Sequence, residues 1–353
     1  DAEEVIFALL DDIAVADDGT VYALDSQLSA VQVFTPDGEY VRTIGREGEG
    51  PGEFTFPRSI FITPEGLIGV VQSMPGKIVL LTPEGDAAGN YPLPDTDGMF
   101  TIQEAREAGG RVFLYMRTTT ASDNNQFFYD VESVVRLTPE GAIDATMGQW
   151  ERETDFTRLV FDEKKLTPVS AWDGAGDGTM YVAGHFDDYR IDVWSPQGKH
   201  ARTIEREYEL RKRSDEERER RGPLIQVATS EGELKTTMIK SETDRAIMEV
   251  FPRDNGSLWV LSSRGAYDTA EGELCVLGEF DAEGRFVREL HLKGEGDLNR
   301  DAMEIIGNRV FVLTDRRSAR YASMAQDSGD EGDEAAPMTL ICYEIDGGLS
   351  LKN

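Results

Sequence analysis

Apolar residues in this chain come in short alternating runs, separated by turn residues and grouped in fours. Between Asp12 and Pro57 the runs are Ile13-Ala14-Val15, Val21-Tyr22-Ala23-Leu24, Val31-Gln32-Val33-Phe34 and Tyr40-Val41-Arg42-Thr43-Ile44. Alternation over so few residues fits strands rather than helices. Asp18-Gly19 and Thr35-Pro36-Asp37-Gly38 lie between the runs, where Pro presets φ and Gly supplies the positive φ of a tight turn. The unit predicts a four-stranded antiparallel meander.

The unit recurs. The Gly turn before the second run returns at Glu65-Gly66, Gly109-Gly110, Asp177-Gly178, Asn255-Gly256 and Gly307-Asn308. The turn after the third run returns at Thr82-Pro83-Glu84-Gly85, Thr138-Pro139-Glu140-Gly141 and Ser195-Pro196-Gln197-Gly198, and weakens at Asp281-Ala282-Glu283-Gly284 and Ile345-Asp346-Gly347-Gly348. Six copies predict an all-β, six-bladed β-propeller of four-stranded blades. A single domain over 1–353 is expected, with blades near 12–57, 58–99, 100–167, 168–210, 246–299 and 300–347 plus 1–10. The run from Val5 to Leu10 belongs to no unit, so it is expected to close the ring as the outer strand of the last blade.

The segment from Gly48 to Pro57, with its Gly-Pro-Gly-x-Phe core and the following Arg58-Ser59-Ile60, resembles the blade linker of NHL-repeat propellers. Gly256-Ser257-Leu258-Trp259-Val260 and Arg202-Thr203-Ile204-Glu205-Arg206 resemble uncharacterised bacterial six-bladed propeller proteins that are often exported. The resemblance implies the fold and says little about a ligand.

Turns after first and third strands are short, whereas the long insertions fall after second strands and between blades. They are Arg117 to Asp130, Ser262 to Gly272, Asp315 to Pro337, Gly148 to Pro168 and Glu205 to Arg245. Antiparallel order puts all of these on one face of the disc, where binding loops on a rigid scaffold are expected. Within 205–245, Ser214 and Glu217 have capping-box spacing and open a charged helix without an apolar stripe, ended by Gly222-Pro223. Helical i,i+4 pairs are expected between Glu216 and Arg220 and between Glu217 and Arg221. Ala325 to Pro337 reads as an acidic mobile loop.

Charge narrows the partners. The 353 residues carry a net charge of −31, which repels nucleic acid and anionic lipid. No apolar run is long enough for a transmembrane helix. The chain begins with Asp1 rather than Met, so a processed, extracytoplasmic protein is expected: periplasmic, lipoprotein-anchored or secreted. Cys275 and Cys342 read as buried free thiols.

Candidate chemistry is sparse. His185, His200 and His291 have no metal spacing, and no nucleophile elbow, phosphate loop or zinc motif occurs. No cofactor is expected. Calcium or another divalent ion is the alternative at acidic loops such as Asp123-Asn124-Asn125, which lack the spaced ligands of an EF-hand. Gluconolactonase-like and regucalcin-like propellers hold one divalent ion in the central channel with carboxylates and an Asn. The comparable inner-strand residues here are Glu104, Asp173, Glu249 and Glu304, with no Asn, so the resemblance to that enzyme class is incomplete. In so acidic a chain the arginines stand out. Arg58, Arg117, Arg264, Arg316 and Arg317, with Trp172, His185, Tyr189 and Tyr267, are expected to surround the channel mouth on the insertion-rich face. Arg forks and aromatic faces suit carboxylate, sulfate or sugar groups. The sequence therefore reads as a non-enzymatic binding or scaffold propeller for a protein or a small anionic or sugar ligand. A channel-metal hydrolase or lactonase is the alternative. A structural subunit of a larger assembly, docked through Glu205 to Arg221, is a third reading.

Overall fold

Six four-stranded antiparallel sheets form in strict chain order, each running from its first strand to its fourth. The computed structural model describes residues 6–220, 227–229, 232–234, 236–320, 338–345 and 351–352. Blade 1 comprises Leu10–Val15, Val21–Asp25, Ala30–Phe34 and Tyr40–Ile44, and blade 2 Pro57–Ile62, Ile68–Gln72, Lys77–Leu81 and Ala87–Asn90. Blade 3 comprises Met99–Ala108, Arg111–Ala121, Phe127–Leu137 and Ile143–Asp155, and blade 4 Ala171–Gly174, Met180–Ala183, Arg190–Trp194 and His200–Glu205. Blade 5 comprises Ile247–Pro252, Leu258–Ser262, Glu273–Phe280 and Phe286–Lys293, and blade 6 Ala302–Ile306, Arg309–Leu313, Leu340–Ile345 and Leu351–Lys352.

Burial follows radius. All of Val21–Asp25 and Ile68–Gln72 are buried, whereas every residue of Ala87–Asn90 is exposed. A second strand is covered on both faces by neighbouring blades, which is why it reads as a continuous apolar run. The core is accordingly divided into six apolar clusters, one in each gap between adjacent blades. The linker 45–56 supplies a plug to one of them. Phe54 is fully buried between blades 1 and 2, and its ring lies 2.6 Å from where a Cβ on Gly45 would stand, so only glycine fits there. The two thiols are free, as expected, with Cys275 buried and Cys342 half-buried.

Ring closure departs from the expectation. The outer strand of blade 6 is Leu351–Lys352, paired to Leu340–Ile345, and not the N-terminal run. That run instead makes one bridge, Phe7 to Met338, and its Leu10 begins the innermost strand of blade 1. The reason is local. The Ala8 and Leu9 N–H groups donate to the buried Asp25 carboxylate at 2.7 and 3.2 Å, so they are not available to a sheet edge. Side chains seal the seam, with Phe7, Leu9, Leu10 and Ile13 packed against Phe311, Leu313, Ala319 and Met338.

Three insertions take forms that differ from open loops. Arg117 to Asp130 extends the blade 3 hairpin as paired strands, leaving only the turn at 122–126. The β-branched run Thr118-Thr119-Thr120 and the aromatic run Phe127-Phe128-Tyr129 favour that extension. The links after blades 3 and 4 pair with one another, Val160–Asp162 lying parallel to Thr237–Ile239. The charged helix forms at Asp215–Arg220 with a reciprocal capping box: Ser214 N donates to Glu217 Oε2 at 2.8 Å, and Glu217 N donates to Ser214 Oγ at 3.1 Å. Glu217 pairs with Arg211, and its expected pairing with Arg221, like the stop at Gly222-Pro223 and the acidic loop Ala325 to Pro337, lies outside the described residues, as does the side chain of Arg220.

Candidate functional site

The inner strands of five blades each bring a carboxylate toward the axis: Asp12, Glu104, Asp173, Glu249 and Glu304. They surround one cation, Arg106. Its guanidinium pairs with Glu104 at 2.5 Å and stands 3.7 Å from Asp173. Trp172 closes the arrangement from blade 4, donating from Nε1 to Glu104 Oε2 at 2.7 Å beneath the Arg106 guanidinium. Asp12 accepts from the N–H groups of Ile13 and Ile60, both at 2.9 Å. Burial pushes the Asp12 carboxyl up to about 6 and holds Asp173, Glu249 and Glu304 above the ordinary carboxylate range. Burial alone would lower Arg106, but Glu104, Asp173, Glu304 and Asp12 keep it firmly charged. A cavity of about 310 Å³ opens from this tier toward the short-turn face, between Val15, Ile62, Gly174 and Ile306.

These residues do not fit the channel metal of the lactonase alternative. Among the described residues no three His, Cys, Asp or Glu are grouped to hold a metal ion. The guanidinium of Arg106 already supplies the positive charge to which the carboxylates turn.

A second tier lies at the opposite end of the inner strands, on the insertion-rich face. Arg58 here is within electrostatic reach of Asp11, Arg316, Arg320 and Arg117. Arg320 and Arg316 reach the buried Asp11 carboxylate at 3.0 and 3.5 Å. Arg58 and Arg117 make no side-chain ion pair among the described residues, and the Nε atoms of Arg117 and Arg316 are buried without a hydrogen-bond acceptor. Arg58 opens to the funnel yet is ringed by protein; burial, then the neighbouring Arg320, Arg316 and Arg117 charges, lower its pKa to about 10. Arg317 joins the rim, donating to Asp301 O and to the Tyr267 hydroxyl, both at 3.1 Å.

The other expected mouth residues stand elsewhere. Trp172 is buried as the strut under Arg106. Tyr189 is buried between blades 4 and 5 against Tyr208 and Phe280. His185 lines a cleft between blades 3 and 4 with Trp150, Lys164 and Phe186. Arg264 braces the insertion by donating to Glu209 O at 2.7 Å and pairing with Asp268. His200 and His291 sit on fourth strands beside Asp192 and Glu273.

The insertion arm is fastened to the disc rather than left free. Arg213, 7% exposed, pairs with Glu163 at 2.8 Å and Asp244 at 2.6 Å. Arg211 reaches Asp244, Asp268 and Glu217 and lies over the Tyr267 ring. The links after blades 3 and 4 and the helix Ser263–Tyr267 of blade 5 thus form one braced platform beside the funnel.

Sequence reasoning missed Asp11, Asp12, Arg106 and Arg320. Arg106 had a signal: it follows Glu104 by two residues on an inner strand, so the two share a face. Asp12 sat in the first unit next to the apolar run that marked it as an inner strand.

The fold defines a six-bladed β-propeller. Residues 2–96 match the family model described as a 6-bladed beta-propeller. Among solved structures, a Bacteroides fragilis protein inferred to be exported is similar at 13% identity, covering 97% of this chain and 92% of that one with a TM-score of 0.53. A Xanthomonas campestris gluconolactonase is similar at 12% identity, covering 88% and 84% with a TM-score of 0.47. At such identities the likeness is one of fold. No curated protein matches the chain.

Proposed function

We propose that this chain is a binding propeller that takes an anionic ligand in the funnel of its insertion-rich face. One observation carries the reading. Arg58 and Arg117 form no side-chain ion pair among the described residues, although the chain has 67 acidic residues against 36 Lys and Arg. They share their surroundings with Arg316 and Arg320, which pair with the buried Asp11 carboxylate. Like charges held together repel, and an oxyanion accepting from several guanidinium forks would relieve that repulsion. The braced insertions support the reading, because a rigid rim keeps such donors in position without an ordering cost at each binding event.

The channel carboxylates do not favour the hydrolase alternative, since Arg106 takes the place of an exchangeable cation. The test is calorimetry of the full chain with sulfate and with glutarate at fixed ionic strength. Binding that is lost in the Arg58→Gln, Arg117→Gln double variant supports the reading. No heat with either anion, or binding indifferent to both substitutions, overturns it.

A further inference from the structure

The cleft between blades 3 and 4 encloses about 450 Å³, a size that suits a small ligand. Two of its side chains come from directly opposed positions of one strand pair, Glu132 on Phe127–Leu137 and Trp150 on Ile143–Asp155. Opposed residues of an antiparallel pair share a face of the sheet, and both line the cleft. Glu132 is only 5% exposed. The Tyr115 hydroxyl donates to its Oε2, while Oε1 accepts from no described residue and is open to the cleft rather than sealed. Arg117, opposed to Glu132 across the other strand pair, forms no ion pair with it among the described residues. Trp150 is fixed as firmly. Its Nε1–H donates to Gly184 O at 3.1 Å, and its ring atoms lie 2.3 and 2.2 Å from where Cβ atoms on Gly148 and Gly184 would stand. With its one donor spent, the ring offers the cleft only carbon. The cations Arg152 and Lys164 are spent too, on Asp130 and Asp187. What remains is Glu132 Oε1 as an acceptor, the exposed Lys165 as a donor, and His185 as either.

An anion would find Arg152 and Lys164 already neutralised, and a cation would meet Lys165 as well as Glu132. A neutral polyol uses everything left over. Its hydroxyls donate to a carboxylate and accept from an ammonium, and the C–H face of a pyranose packs on an aromatic ring. We infer that this cleft binds a neutral sugar residue, its C–H face on Trp150 and a hydroxyl donating to Glu132 Oε1. An aromatic wall and an acceptor that are both held in place before binding leave little to be ordered by the ligand.

The experiment is saturation-transfer NMR of the full chain with D-glucose, D-galactose, D-mannose and N-acetyl-D-glucosamine, and with D-glucuronate as the charged counterpart. The expected result is saturation of the ring protons of at least one neutral sugar. Trp150→Ala abolishes it. Glu132→Gln, a neutral isostere that still accepts from Tyr115 and whose folding a melting curve registers, weakens the affinity roughly ten-fold, as loss of a charge-assisted hydrogen bond gives. Arg58→Gln leaves sugar binding unchanged, so the sugar site and the anion site of the funnel stand or fall separately. Absence of saturation for every neutral sugar, or preference for D-glucuronate over all of them, overturns the inference. Sugar binding that survives Trp150→Ala or keeps its affinity in Glu132→Gln overturns it as well.

Discussion

Arg106 Nη1 lies 3.7 Å from Asp173 Oδ1 on the neighbouring blade, while its Nη2 pairs with Glu104 two residues back on its own strand. One guanidinium therefore serves carboxylates from several blades, and its removal leaves them facing one another. Arg106→Met is expected to destabilise the fold by about 3 kcal/mol, the usual cost of breaking an enclosed ion pair from one side. Urea melts should show the loss to be larger at pH 8 than at pH 5.5, because protonation relieves the stranded acids.

The same carboxylates set a pH slope in the unsubstituted chain. Burial raises Asp12 to about 6 and lifts Glu249 and Glu304 further, whereas in the unfolded chain all three titrate near 4, about the ordinary value. Above the unfolded values the native state holds more protons than the unfolded state, so stability falls as pH rises through the raised pKa values and is fully restored below about 4. Glu304→Gln should raise the melting temperature at pH 8 and flatten the slope between pH 5.5 and 8. An unchanged slope would remove Glu304 as its source.

Arg213 joins the links after blades 3 and 4 through Glu163 and Asp244, both nearly buried. Arg213→Met leaves the enclosed Glu163 without its ion-pair partner and Asp244 with Arg211, and should cost the platform roughly 3 kcal/mol. Hydrogen exchange is the measurement: Thr237–Ile239 and Val160–Asp162 should exchange faster, with Val21–Asp25 of the disc unchanged.

Asp25 is fully buried and accepts from the backbone N–H groups of Ala8, Leu9, Gln27 and Leu28. Asp25→Ala strands those donors and should lower stability by about 2 kcal/mol. Limited proteolysis ahead of Leu10 should accelerate, since these bonds fasten that segment to the disc.

The blades were legible because each is a local object. A turn such as Thr35 to Glu39, closed by Thr35 N to Glu39 O at 2.8 Å and Gly38 N to Thr35 O at 3.0 Å, needs only neighbours in sequence. The Ser214–Glu217 capping box was legible for the same reason, whereas Cys342, expected to be buried, is only half-buried. The two tiers were not. Asp12, Glu104, Asp173, Glu249 and Glu304 meet only once the ring closes, and whether Arg264 or Arg317 faces the funnel or a loop carbonyl depends on a bend of the backbone. Trp172 illustrates the limit: its inner-strand place was evident, yet its ring turns to Glu104 instead of the mouth.

No blade has an apolar layer of its own. Each layer belongs jointly to two neighbours, and the one holding Phe7 and Phe311 belongs to the last blade and the first. Excising any single unit would therefore bare two walls at once, leaving a gap that the remaining five could fill only by changing the angle between every pair. The architecture admits growth outward at its connections and resists subtraction. This explains how the link between blades 4 and 5 could lengthen to span 206–246 while the turns at 109–110 and 307–308 stayed minimal.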